Sequence, residues 1–250
     1  MAQFTDRVAL VTGSSRGIGA ATARLLGERG ANVVVNYHEN EEAAAETAAA
    51  IRNAGSEALV VQADVRERED VEAMVDAAED EWGPVDVLVN NANMPFEKAP
   101  IAEMSWESFG GKLTDEMAAA FRVTKAVTPG MVEQGYGRIV YVSSGLAEHT
   151  GPGFVAHGTA KGALDTFAKY VASEFGGDGV TANVVAPGLV ETDSTAQQVA
   201  AVREEFTAAT PLDRIGQPED VARTIAALAS DDARFVTGTY TPVNGGKDME

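Results

Sequence analysis

Residues 8–19 read Val8-Ala-Leu-Val-Thr-Gly-Ser-Ser-Arg-Gly-Ile-Gly19, and this stretch decides the fold. Its first five residues are typical of a short buried strand, and a helical pattern follows from Ile18 to Arg29. Between them, glycines carry the chain through a tight turn in which a Cβ would block the close approach of a ligand. This order places free N–H groups and the positive end of a helix dipole at one point. The stretch predicts a pyrophosphate site; a glycine-rich turn without a ligand is the alternative.

Beyond this stretch, strand and helix patterns alternate along the chain. The alternation predicts an α/β fold with a single domain over residues 1–250. We expect a Rossmann-type, doubly wound parallel sheet of about seven strands, with helices on both faces. The helix over residues 106–134 is expected to be interrupted at Gly110-Gly111. Segment 192–209 follows the carboxyl end of a strand and is predicted to be a substrate lid. The predicted strands cover residues 8–12, 31–36, 58–63, 85–89, 138–142, 181–185 and 239–243.

The composition argues against several classes of function. The 250 residues include no cysteine, which excludes disulfides and thiol catalysis, and the 3 histidines lack a metal-binding spacing. The formal net charge of −19 argues against nucleic-acid and membrane partners, because both favour a basic surface. No apolar run is long enough to span a bilayer, and no leader segment is evident. We therefore expect a cytoplasmic protein without a metal ion.

A set of short motifs occurs in order along the chain: Thr12-Gly13-x-x-x-Gly17-x-Gly19, Asp64-Val65, Asn90-Asn91-Ala92, Ser144, Lys161, Pro187-Gly188-x-x-x-Thr192 and Asn244-Gly245-Gly246. With these motifs the chain resembles the classical short-chain dehydrogenases/reductases, especially their ketoacyl reductase-like branch. The resemblance runs nearly end to end. It implies a nicotinamide cofactor, a small carbonyl substrate and a homotetramer. A hetero-oligomer with a related chain is the alternative assembly.

The resemblance also implies which residues contact the cofactor. The glycine turn would surround the phosphates, Asp64 and Val65 would contact the adenine, and Asn91 and Ala92 would lie beside the ribose. The full implied set is Gly13, Ser15, Arg16, Gly17, Ile18, Gly19, Asn36, Asp64, Val65, Asn91, Ala92, Lys161, Pro187, Gly188, Val190 and Thr192.

The end of the second predicted strand bears on the choice between NAD and NADP(H). An acidic residue there would bind the ribose 2′-hydroxyl of NAD, but this chain has Asn36. Arg16, in the glycine turn, carries a guanidinium suited to a 2′-phosphate. We therefore expect NADP(H). A solvated surface charge is the alternative for Arg16, and the nearby Glu39, Glu41 and Glu42 would weaken phosphate binding.

The catalytic residues depart from the pattern of the family, which implies an Asn, a Ser and a Tyr-x-x-x-Lys pair. Ser144 and Lys161 stand where the resemblance expects them, but the tyrosine position holds His157. The position aligned with the catalytic Asn holds Glu116, which could pair with Lys161, orient His157 or lie exposed on its helix. Asn93 stands where the family usually has glycine. Tyr141 and Tyr170 are not convincing replacements for the missing tyrosine.

Histidine in place of tyrosine changes the proton chemistry. An imidazolium, with an ordinary pKa of about 6.5, is a stronger acid than a phenol near neutrality. Burial and the neighbouring Lys161 cation both disfavour that charged form, whereas a nearby carboxylate would favour it. Imidazole is also shorter than phenol.

Three functions remain open from the sequence. The first is an NADP(H)-dependent oxidoreductase that reduces a ketone or related carbonyl with an atypical Ser144-His157-Lys161 site. The second is a cofactor-binding pseudoenzyme subunit in a mixed oligomer. The third is a non-redox dehydratase, cyclase or epimerase on the same fold.

Overall fold

The computed structural model describes residues 3–249, and its centre is a parallel β-sheet. The strands are β1 (Val8–Val11), β2 (Asn32–Tyr37), β3 (Ala58–Gln62), β4 (Val87–Asn90), β5 (Gly137–Val142), β6 (Val180–Pro187) and β7 (Tyr240–Val243). They form a 7-stranded sheet in the order β3-β2-β1-β4-β5-β6-β7, and all neighbours run parallel. The strand order reverses between β1 and β4, which is where open α/β sheets bind ligands.

Helices cover both faces of this sheet. They are α1 (Gly17–Glu28), α2 (Glu41–Asn53), α3 (Arg68–Trp82), α4 (Trp106–Gln134), α5 (Val155–Phe175), α6 (Ala196–Ala208) and α7 (Pro218–Leu228). One core lies between the sheet and α3, α4 and α5, and the other between the sheet and α1, α2 and α7. Strands buried on both faces require continuous apolar runs, as in Val33-Val34-Val35. The Rossmann-type fold predicted from the sequence is confirmed.

Helix α4 corrects one prediction. It runs unbroken from Trp106 to Gln134, so the expected interruption at Gly110-Gly111 is wrong. The Ser105 hydroxyl caps its start by accepting a hydrogen bond from the Ser108 N–H, and Gly135 ends it in the left-handed conformation. Each interior glycine costs about 0.5–1 kcal/mol relative to alanine. The buried side of α4, which packs against α5, outweighs that local preference.

Candidate active site and cofactor site

The glycine turn between β1 and α1 has the geometry of an anion site. Gly13 and Gly17 have φ angles of 61° and 58°, which side chains other than glycine rarely adopt. Helix α1 begins at Gly17 without a side-chain cap, so its first N–H groups remain open to a ligand. A Cβ on Gly19 would lie 2.4 Å from the carbonyl oxygen of Gly13 and 2.5 Å from Nδ2 of Asn91. The turn therefore requires glycine for its own packing as well as for a ligand.

The turn faces a second segment that carries predicted cofactor residues. A Cβ built on Gly17 would lie 3.4 Å from Cγ2 of Thr192, so the turn and the segment after β6 are in reach of each other. On that segment, Pro187 ends β6, Gly188 packs against Asn244, and Val190 is buried. The uncapped helix end and this opposing wall fit the diphosphate of a dinucleotide cofactor.

The structure gives Asn36 a different place from the one expected. Strand β2 ends at Tyr37, and Asn36 is 2% exposed. Its Oδ1 accepts the Gly13 N–H at 3.0 Å, and its Nδ2 donates to the Ala63 carbonyl at 3.1 Å. Because both ends of the amide bind the protein, the side chain of Asn36 supports the glycine turn. Asn91 acts similarly, since its Nδ2 donates to the Thr12 carbonyl at 2.9 Å and to the Gly13 carbonyl at 3.1 Å.

Arg16 and Asp64 lie at the edge where the adenosine half of a cofactor would bind. Arg16 is exposed at the start of α1, and its guanidinium binds no other side chain among residues 3–249. Asp64 is held by Arg66, with Nη2 of Arg66 2.6 Å from its Oδ2. This hydrogen-bonded pair lowers the pKa of Asp64 to about 2 against an opposing effect of burial. His38 lies 3.6 Å from the same carboxylate.

A buried chain of charges lies on the other side of the crevice. Oε1 of Glu116 is 2.6 Å from Nζ of Lys161, and its Oε2 is 2.6 Å from Nζ of Lys112. The three side chains are at most 4% exposed. Of the roles predicted for Glu116, pairing with Lys161 is the one the structure shows. The N–H of Met94 also donates to Oε2 of Glu116, at 3.3 Å.

The buried charges shift the pKa values of Glu116 and Lys112. Burial by itself would raise the pKa of Glu116, but the Lys161 and Lys112 cations outweigh it and lower that pKa to about 2. Burial lowers the pKa of Lys112, and the Glu116 carboxylate opposes that shift. Glu116 is therefore ionised near neutrality, held between two basic side chains.

His157 lies in an aromatic pocket in the first turn of α5. Its ring stacks on Phe96 with centroids 4.5 Å apart and planes at 24°, and Phe154 approaches it at 6.5 Å. The residue is 8% exposed, and its Nδ1 is enclosed without a hydrogen-bond partner. Burial, followed by the charges of Lys161 and Lys112, lowers its pKa to about 3. His157 is therefore a neutral imidazole near neutral pH, so its environment does not support the expected role of a charged proton donor.

Ser144 and the ammonium of Lys161 both lie near the carboxyl end of β5. Nζ of Lys161 donates to the carbonyl of Val142 at 2.8 Å, two residues before Ser144. Oγ of Ser144 accepts the Leu146 N–H at 3.2 Å, and the residue is partly exposed. Tyr141 is turned to the opposite face of the sheet, where its hydroxyl lies 2.8 Å from Oγ1 of Thr124. Tyr170 is 66% exposed on α5, which agrees with leaving both tyrosines out of the site.

Sequence reasoning missed Lys112 and Phe96. Lys112 precedes Glu116 by four residues on a helix, a spacing that brings side chains together and would have marked the pair. Phe96 lies in the irregular segment after β4, where no periodic pattern indicates its direction. Asn93, noted as a departure from the family pattern, accepts a hydrogen bond from Lys112 at 2.9 Å.

Fold and site together define a Rossmann-type α/β protein with a glycine turn and a buried cluster of charges at the switch point of its sheet. A family model described as Enoyl-(Acyl carrier protein) reductase matches residues 13–248. The chain is 40% identical to the 3-oxoacyl-[acyl-carrier-protein] reductase of Synechocystis over 100% of both chains. It is 39% identical to the cis-4-hydroxycyclohexanecarboxylate dehydrogenase of Sinomonas cyclohexanicum over 97% of both. The chain belongs to the short-chain dehydrogenase/reductase family, whose members found here are oxidoreductases.

Solved structures agree with this assignment. A short-chain type dehydrogenase/reductase from Mycobacterium ulcerans matches with a TM-score of 0.93 and 30% identity, over 98% of this chain and 90% of that one. An NAD+-bound xylitol dehydrogenase matches with a TM-score of 0.92 and 31% identity, over 97% of this chain and 99% of that one. No helix within residues 3–249 is long and apolar enough to cross a membrane.

Proposed function

We propose that this protein is an NADP(H)-dependent reductase of a ketone or related carbonyl, in which Ser144, His157 and Lys161 form an atypical active site. The observation that carries the proposal is the position of Lys161, between the Val142 carbonyl and the Glu116 carboxylate at the carboxyl end of β5. An ammonium has three N–H donors, so these two acceptors leave one for a ribose hydroxyl. A bound NADPH would supply a hydride to the carbonyl carbon.

The protein groups then act on the carbonyl oxygen. The Ser144 hydroxyl and the imidazole N–H of His157 donate hydrogen bonds to it as negative charge develops, which is the usual way such a charge is stabilised. In this proposal the neutral imidazole carries its proton on Nε2, because the enclosed Nδ1 has no acceptor to which it could donate. Solvent water supplies the proton that completes the alcohol. His157 thus serves as a hydrogen-bond donor to the oxygen and is not consumed as an acid.

His157→Phe tests this role, because phenylalanine keeps the stacking on Phe96 and removes the donor. We expect kcat for NADPH oxidation with a β-keto ester to fall about 10²–10³-fold, as for other lost donors to a developing oxyanion. The dissociation constant of NADPH should change less than threefold. Absorbance of NADPH measures the first quantity, and its fluorescence the second. An unchanged kcat in His157→Phe would contradict the proposal.

His157→Tyr adds a second arm to this test by restoring the phenol of the family pattern. A rise in kcat would show that the native site lacks only a proton donor. The pseudoenzyme alternative is favoured by one observation, the pKa of His157 of about 3, which leaves the site without a charged proton donor at neutral pH. NADPH binding without turnover of any carbonyl in a broad panel would support that alternative. Substrate conversion without a change in NADPH absorbance would indicate non-redox chemistry.

Preference for NADP(H) rests on Arg16, whose guanidinium is exposed at the turn and bound to no other side chain in the described part of the chain. Arg16→Ala should weaken NADPH binding about tenfold to a hundredfold, because a charged hydrogen bond contributes about 1.5–3 kcal/mol. NADH binding should stay within threefold. Fluorescence titration of both cofactors measures this, with Arg68→Ala, a surface pair with Glu72, as the matched control. Equal losses for both cofactors would contradict the 2′-phosphate contact.

The proposal also covers the oligomeric state of the protein, its location in the cell and a lid over the substrate. Apolar side chains exposed on α4 and α5 support a homotetramer or a hetero-oligomer with a related chain; they are Trp106 (79%), Phe121 (51%) and Tyr170 (66%). We propose that the protein is cytoplasmic. The remaining cofactor contacts are proposed as the sequence predicts them. Segment 192–209 is the proposed lid over the substrate, and it contains a one-turn helix at Asp193–Thr195 followed by α6.

A further inference from the structure

Lys112 is a buried charged group that the proposed reaction does not use. Its side chain is 0% exposed, so it cannot touch a substrate. Nζ donates to Oδ1 of Asn93 at 2.9 Å, to the carbonyl of Met94 at 2.7 Å and to Oε2 of Glu116 at 2.6 Å. These contacts use all three N–H donors of an ammonium, whereas Lys161 keeps one.

The acceptors of Lys112 belong to two different parts of the site. Glu116 is on α4 and holds Lys161, while Asn93 and Met94 belong to the segment that follows β4. Met94 also donates its N–H to the same carboxylate oxygen that Lys112 binds. Lys112 therefore closes a small ring of polar contacts between the helix and the segment.

The same segment carries the ring that packs on His157. Phe96 follows Met94 by two residues, and its centroid lies 4.5 Å from that of the imidazole. Nζ of Lys112 is 5.4 Å from the Phe96 centroid, within the range of a cation–π contact. One ammonium thus contacts the carboxylate that pairs with Lys161 and the ring that stacks on His157. A buried lysine is costly, and apolar residues often replace buried ion pairs without loss of stability. The contacts of Lys112 connect it to residues of the proposed active site.

We propose that Lys112 is a positioning residue of the active site: it joins Glu116 to the segment of residues 93–96, and so holds Lys161 beside Val142 and the Phe96 ring against His157. The inference rests on the proposed reductase function for its kinetic consequence. Its structural consequence, the environment of His157, is measurable without any turnover.

The charges around His157 predict the direction in which its pKa should change in each variant. Lys161 on α5 and Lys112 on α4 disfavour the imidazolium, and Glu116 on α4 favours it. The segment after β4 adds Glu97 and Lys98, and the loop after β5 adds Glu148 and His149; three of these are exposed and His149 is partly so. Removing the charge of Lys112 should therefore raise the pKa of His157, and removing that of Glu116 should lower it. The rise in the pKa of His157 tests the charge of Lys112 beside the imidazole, and the loss of kcat with its rescue by arginine tests the positioning role.

Lys112→Met is the decisive variant, with Lys112→Arg as the conservative rescue and Lys125→Met as the matched control. Lys125 is exposed on the same helix, and its ammonium lies 5.9 Å from the centroid of the Phe121 ring. The ring signals of the three histidines are followed by NMR against pH, and His157→Phe identifies the signal of His157. We expect Lys112→Met to raise the pKa of His157 by at least one unit and Glu116→Gln to lower it. Lys112→Arg and Lys125→Met should leave it within a few tenths.

Kinetics supply the second readout. Lys112→Met should lower kcat at least tenfold with little change in the dissociation constant of NADPH, and arginine should restore most of the loss. If Lys112→Met does not fold, Asn93→Ala removes one contact of Lys112 at the edge of the crevice and should lower kcat about threefold at unchanged NADPH affinity. An unaltered His157 titration together with wild-type kcat would overturn the inference. If the wild type reduces no carbonyl, the proposed function fails, and the titration still tests whether Lys112 acts on His157.

Discussion

Glu116→Leu is expected to lower the free energy of unfolding by about 3–5 kcal/mol, the usual cost of removing one partner from a buried ion pair. In the wild type, each of the two ammonium groups, of Lys112 and Lys161, lies 2.6 Å from one carboxylate oxygen of Glu116. The substitution removes this carboxylate and leaves the two cations facing each other. Both lysine side chains are at most 4% exposed, so water cannot replace the lost partner. Urea denaturation at pH 7 measures the change.

Two further variants separate charge from packing. Glu133→Leu changes an exposed glutamate on the same helix and should alter stability by no more than about 0.5 kcal/mol. The double variant Lys112→Met/Glu116→Leu removes one cation with the anion and should recover a large part of the loss. If the single and double variants were equally unstable, repulsion between the two lysines could not be the cause.

Gly19→Ala is expected to weaken NADPH binding at least tenfold and to destabilise the fold by about 1–3 kcal/mol, the range seen when a packed site receives an extra carbon. The new Cβ would approach the Gly13 carbonyl to 2.4 Å and Cα of Ser14 to 2.9 Å. Relief requires movement of the turn whose N–H groups are proposed to bind the cofactor phosphates. Fluorescence titration with NADPH and thermal unfolding measure the two effects.

Gly111→Ala is the matched control for this experiment. Gly111 is also helical, and a Cβ there would meet nothing within 4 Å. Alanine at this position should stabilise the protein by about 0.5–1 kcal/mol and leave NADPH affinity unchanged. A folded Gly19→Ala protein that bound NADPH as tightly as the wild type would contradict the assignment of this turn to the cofactor.

The chemistry of His157 shows where local sequence stops being informative. Sequence alone identified the departure from tyrosine and named the two effects, burial and the Lys161 charge, that oppose an imidazolium. It did not supply their size, because that depends on the stacking of Phe96 and on Lys112, which is 45 positions earlier in the chain. Asn36 is a parallel case. Its position in the sequence suggested a ribose contact, and only the packing of β2 against the turn turned its amide inward.

The sequence by itself determined the fold class, the order of strands and helices, the glycine turn after β1 and the identities of Ser144, His157 and Lys161. These depend on short-range patterns: apolar runs, glycine positions and fixed spacings. Only the tertiary structure decided that α4 runs through Gly110-Gly111, that Glu116 pairs with Lys161, and that Lys112 also pairs with Glu116. Those outcomes depend on contacts between α4, α5 and the segment after β4, where burial and charge balance outweigh local preference.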